Sequence, residues 1–104
     1  MEINISNGFD LGGFGYIIDT SEEAKYELTA KDCWGDHTPQ YSRIRLLYDL
    51  PQDQFRNTFF HELMEAINEV SLAGNLKHPD INNIANGLAQ IFKDYGVNFV
   101  CKPH

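Results

Sequence analysis

Basic residues are scarce in this chain. Eight Lys and Arg stand against 15 Asp and Glu, for a net charge of -7 at pH 7. The eight are scattered: Lys25, Lys31, Arg43, Arg45, Arg56, Lys77, Lys93 and Lys102. No basic patch forms from such spacing, which excludes nucleic-acid backbone binding as a main task. Cysteine is scarcer still, with only Cys33 and Cys101, far apart. A disulfide framework needs denser cysteine and a zinc ribbon needs close Cys pairs. Both are expected to be free thiols of a reducing cytoplasm. No apolar run approaches the roughly 20 residues needed to span a bilayer. Met1-Glu-Ile-Asn-Ile5 has neither a basic start nor an apolar core of signal-peptide length. The expectation is a soluble, cytoplasmic protein with no membrane partner.

What is present suits one folded unit. Hydrophobic residues make up 42% and charged residues 22%, a globular balance rather than a disordered one. A chain of 104 residues supports a single core, so residues 1–104 are read as one domain. The chain divides near Pro51. Residues 1–50 are mainly strand-like: Glu2–Ile5, Phe14–Ile18, Lys25–Thr29 and Ser42–Tyr48 are short apolar or alternating runs. Asn7-Gly8, Gly12-Gly13, Ser21-Glu-Glu23 and Asp36-His-Thr-Pro39 punctuate them as turns. A small antiparallel sheet is expected. Gly8, Gly12, Gly13 and Gly15 invite a dinucleotide-loop reading. That loop must open a helix, and Tyr16-Ile-Ile18 reads as strand, so a flexible hairpin connection is preferred.

After Pro51 the period becomes helical, over 51–95. Pro51 suits a first helical position and Asp53 a first turn. Phe55, Phe59, Leu63, Ala66, Ile67 and Val70, widened by Phe60 and Met64, make an apolar stripe ending near Gly74. A second helix is expected from about Pro79 to Tyr95, with Ile81, Ile84, Ala85, Leu88, Phe92 and Tyr95 as its stripe and Gly96 as its cap. Residues 97–101 offer a last strand. The short connection predicts an αα-hairpin. The predicted fold is therefore α+β, a small N-terminal sheet packed on two C-terminal helices.

The chemistry-bearing stretch is His61-Glu62-Leu63-Met64-Glu65. It is one residue from the zinc-protease signature His-Glu-x-x-His, in which two His one turn apart bind zinc and the Glu acts as base. Here Glu65 stands in place of the second His. His61 and Glu65 share a helix face opposite the stripe, near Asn57, Asn68 and Leu72. On spacing alone, His61, Glu65 and Asn68 are also what the wet side of any amphipathic helix would carry.

Three segments carry a resemblance. They are Gln40-Tyr-Ser-Arg-Ile-Arg-Leu46, Thr58-Phe-Phe-His-Glu-Leu-Met-Glu-Ala-Ile67 and Leu76-Lys-His-Pro-Asp-Ile-Asn-Asn-Ile-Ala-Asn-Gly-Leu-Ala89. In that order they resemble the edge strand, zinc helix and second helix of small zincin-like metallopeptidase domains of phages and prophages, minimal relatives of the gluzincins. The resemblance implies a zincin-like architecture, with His61 as first zinc ligand and Glu62 as general base. It puts Glu65 at the second ligand and Asn82 at the third, where the family carries an acid. A carboxylate binds zinc at about the distance of an imidazole, but Asn is a much poorer ligand. His78 is the candidate substitute, with Asp80 as alternative. A His61, Glu65, His78 set would keep two imidazoles and one carboxylate. His78-Pro79-Asp80 also reads simply as a helix start. Zinc or another divalent metal is thus expected to bind weakly or not at all.

Asp36 and His37 read as turn residues with a secondary reading as cleft lining. Trp34 reads as a core anchor, with an exposed contact as the alternative. His104 is terminal. Two functions remain open: a metal-dependent peptidase acting on peptides or proteins, and a non-catalytic protein-binding module with a degenerate site. An acidic nucleic-acid mimic is disfavoured by the scatter of the acidic residues.

Overall fold

The computed structural model describes residues 1–102, and His104 lies outside the described residues. In chain order the elements are β1 (Glu2–Asn4), β2 (Phe9–Leu11), β3 (Phe14–Asp19), α1 (Glu22–Ala30), β4 (Gly35–Thr38), a 3-10 turn (Pro39–Tyr41), β5 (Arg43–Leu46), α2 (Gln52–Ser71), α3 (His78–Asp94) and β6 (Asn98–Val100). The class is α+β, as the periodicities imply.

The glycine cluster makes a hairpin. Leu11 pairs with Phe14 across Gly12 and Gly13, both at positive φ. A two-residue loop with both φ positive matches the right-handed twist of the flanking strands, and only glycine adopts it without strain. No helix follows the glycines, so they cradle no dinucleotide.

Residues 25–29, expected as strand, lie in α1. Ser21 accepts a hydrogen bond from the Ala24 N–H at 3.1 Å, and Glu22 and Glu23 occupy the first turn. What reads as turn punctuation is a helix N-cap with acids at the positive dipole end. Ala24 and Leu28, one turn apart, are the buried residues. This helix changes the sheet. Strand order is β2-β3-β5-β4, with β3 and β5 parallel and the other two pairs antiparallel. A parallel pair needs a crossover connection, and α1 supplies it. The sheet is therefore mixed rather than purely antiparallel. A second, parallel pair joins β1 to β6.

The helix α2 runs through the middle of the molecule. Phe55, Phe59, Phe60, Met64 and Ala66 are buried, but so are Arg56, Thr58, Glu62 and Asn68. Leu63 and Ile67, expected at the centre of the stripe, are only half-buried. The face read as wet is covered only in part: Asn57 and Leu72 are exposed, His61 and Glu65 half-buried and Asn68 buried, while Thr58 meets Gly35 of β4, where an added Cβ would lie 2.7 Å from the Thr58 methyl. Asn68 is likewise not a wet-face residue. Its carboxamide accepts from the Leu76 N–H at 2.9 Å and donates to the Leu76 carbonyl at 3.3 Å. That clamp fixes the turn into α3, which packs beside α2 through Ile81, Ala85 and Ala89. Ile84 and Tyr95 of the expected α3 stripe are exposed. Phe99 of β6 closes the core against Phe59, Phe60 and Phe92.

Candidate metal centre and adjoining cleft

His61 and Glu65 sit one turn apart on α2, and α3 begins at His78. The Asn68 clamp on the intervening turn brings that first residue of α3 back over Glu65. Glu65 Oε1 lies 3.2 Å from His78 Nδ1 and 3.6 Å from His61 Nε2. The two imidazoles are edge to face, with centroids 5.4 Å apart. All three side chains offer ligand atoms within 4.8 Å of one another. Tetrahedral ligands at about 2.1 Å from a zinc ion lie about 3.4 Å from each other. The two measured separations bracket that edge. Glu65 Oε1 is also buried with no hydrogen-bond partner among the described residues, since the close approach of His78 Nδ1 is not aligned as a hydrogen bond. A buried carboxylate oxygen without a donor is expensive unless a cation or a protonated imidazole faces it. The donor set therefore fits a divalent ion such as zinc. Asp80 and Asn82, the other candidate third ligands, are exposed, and Asp80 is outside this group.

Glu62 points from the next position of α2 into a cleft of about 370 Å3. Its walls come from three elements: Asn57, Thr58 and His61 of α2, Asn86 of α3, and the segment Asp32–Gly35 leading into β4. Glu62 is only 8% exposed. Burial pushes its carboxyl up to about 7, and the negative charges of Glu65 and Asp36 push the same way. A carboxylate titrating near neutrality is suited to taking and returning a proton. Trp34, expected in the core, is 53% exposed and forms one wall.

Asp36 and His37 are strand residues of β4, not turn residues. Asp36 is engaged by both Arg45 and Lys31, and Arg45 above all holds its carboxyl down to about 2. His37 Nε2 is 2.9 Å from the Tyr16 hydroxyl. Burial pushes the His37 imidazole down against the opposing pull of Glu65, Glu69 and Asp36. Residues 40–46, matched above to an edge strand, contain the inner strand β5, and the true edge is β4. Leu47 N–H donates to the Trp34 carbonyl at 2.9 Å, and Asp36 is opposite Arg45. Because antiparallel pairs alternate, Gly35 and His37 then turn their N–H and C=O groups away from β5, to the open edge beside the cleft.

Sequence reasoning missed Asn57 and Asn86 as cleft residues. Asn57 precedes His61 by one helical turn, a usable signal. Asn86 has none, because its role depends on how α3 docks. No family model, curated protein or solved structure matches the chain.

Proposed function

We propose that this protein is a metal-dependent hydrolase of peptide bonds, related to the zincin-like metallopeptidases of phages and prophages. The carrying observation is the convergence of His61, Glu65 and His78, with His61 and the buried Glu62 beside it lining an open cleft. These three side chains would hold the ion. A divalent ion bound there supplies Lewis-acid polarisation of water and of the scissile carbonyl. Glu62 accepts the proton of the attacking water as the C–O bond forms. It then delivers that proton to the amide nitrogen as the C–N bond breaks. The open edge of β4 can pair with an extended substrate backbone, which favours peptides and proteins over other amides. The net charge of -7 disfavours nucleic acid as a substrate. The two free thiols fit a cytoplasmic setting.

A non-catalytic binding module is the second reading. It is favoured by the 68% exposure of the His78 side chain, which leaves one ligand loosely held. Zinc titration calorimetry of untagged protein, with cleavage of a fluorogenic peptide mixture, separates the two. The hydrolase reading expects one zinc per chain, lost in both His61→Ala and His78→Ala, and cleavage lost in Glu62→Gln with zinc retained. Zinc binding without cleavage favours the module. Absence of zinc binding overturns the metal centre.

A further inference from the structure

The cleft beside Glu62 does not end at Asn57 and Asn86. The same two residues also line a second hollow of about 260 Å3 along the seam between α2 and α3. One groove therefore runs from Trp34, past His61 and Glu62, to Lys93. The side-chain carboxamides of Asn57 and Asn86 make no hydrogen bond to any described residue. A carboxamide offers one acceptor and two donors, the complement of a peptide main-chain unit. Two of them on facing helices, both unpartnered, are an unused pair of such complements midway along the groove.

The far end is lined by Arg56 and Lys93 together with Asp53. Lys93 Nζ is 3.0 Å from Asp53 Oδ2, and Arg56 Nη1 is 2.9 Å from Asp53 Oδ1. Two cations share the one carboxylate of Asp53. Arg56 is fixed by its bonds to the Val97 carbonyl and the Asn98 side chain. Lys93 is half-exposed, with donors to spare. Asn86 and Lys93 are about two helical turns apart, roughly 10 Å along the axis at 1.5 Å per residue. An extended peptide covers that in about three residues at 3.3 Å each.

From this we infer that the groove binds the C-terminal end of an extended peptide, with Asn57 and Asn86 on its main chain and Lys93 on its terminal carboxylate. The inference rests on the peptide-directed reading above, and it deepens that reading to chain ends rather than chain interiors. It does not depend on the metal. The test is therefore run in EDTA, so that its failure and the failure of the metal centre are read separately.

N-acetyl-tetraalanine and its C-terminal amide are titrated into the whole protein by calorimetry. The free acid should bind at least tenfold more tightly than the amide. Lys93→Ala should bring the two to equal affinity, and Lys93→Arg should restore the preference, which separates lost charge from lost fold. Asn86→Ala should weaken both ligands by the same factor, about fivefold. Equal binding of acid and amide to the parent protein, or no binding of either at millimolar concentration, overturns the inference. So does a preference that survives Lys93→Ala, or an Asn86→Ala variant that binds as the parent does.

Discussion

Replacing Glu62 by Gln should stabilise the metal-free protein above neutral pH and leave it nearly unchanged in acid. Glu62 is buried against Thr58 and the β4 approach, and its carboxyl is pushed from the ordinary 4.5 up to about 7. The folded state thus holds the proton more tightly than the unfolded chain. The resulting stability is fully present below about 4.5, declines as pH rises and is gone above about 7. Each pH unit of that interval is worth about 1.4 kcal/mol. At pH 8 the charged side chain therefore costs the fold about 3 kcal/mol. Gln keeps the shape and removes the charge, so the variant should gain most of that amount at pH 8 and nothing at pH 4. For a domain of this size such a gain raises Tm by on the order of 10–20 °C. Urea unfolding in EDTA at both pH values, followed by Trp34 fluorescence, is the assay. If parent and variant lose stability in parallel between pH 4 and pH 8, the cleft is wetter around Glu62 than its burial implies. The case for a neutral-range proton acceptor then fails.

Two further outcomes test the scaffold. Asn68→Ala should cost about 1–3 kcal/mol, because it leaves both backbone groups of Leu76 without their partner; thermal unfolding within 0.5 kcal/mol of the parent would mean the turn holds without the clamp. Asp36→Ala should cost about 2 kcal/mol at pH 7, from the interval between 3.8 and about 2 set chiefly by Arg45. In the parent that contribution is present above about 3.8 and lost as pH falls through about 2, so an acid titration of the variant should lack this component.

Both C-terminal helices are legible in the sequence because proline, glycine and a 3.6-residue period agree at their ends. The helix α1 is not, for a physical reason. Tyr26 and Leu28 alternate with charges as a strand would, while only Ala24 and Leu28 are buried. Missing it also hid the parallel β3–β5 pair, which depends on that crossover. The phase of α2 is poorly encoded because neighbours surround it. When Thr58, Glu62 and Asn68 are buried together with Phe59 and Met64, no single stripe marks the inside. The candidacy of His61 and Glu65 follows from helical spacing and the resemblance to the zinc-protease signature, with His78 only a substitute third ligand whose segment also reads as a helix start. The choice among His78, Asp80 and Asn82 does not, since it rests on the angle at which α3 leaves the Asn68 clamp. Trp34 is read as core from its residue type, yet it stands at the cleft wall because β4 ends the sheet there.

The pairing of β1 with β6 has a consequence for how the chain is made. Phe99 is the ring on which Phe59, Phe60 and Phe92 converge, and its strand pairs with residues 2–4. During synthesis the first strand, Phe59 and Phe60 are made well before this partner. A chain lacking residues 97–100 therefore presents an open aromatic pocket and an unpaired first strand, a state that invites chaperones and aggregation. Residues 97–100 supply both missing pieces at once, so completion of the core should be a late, cooperative event rather than a gradual one.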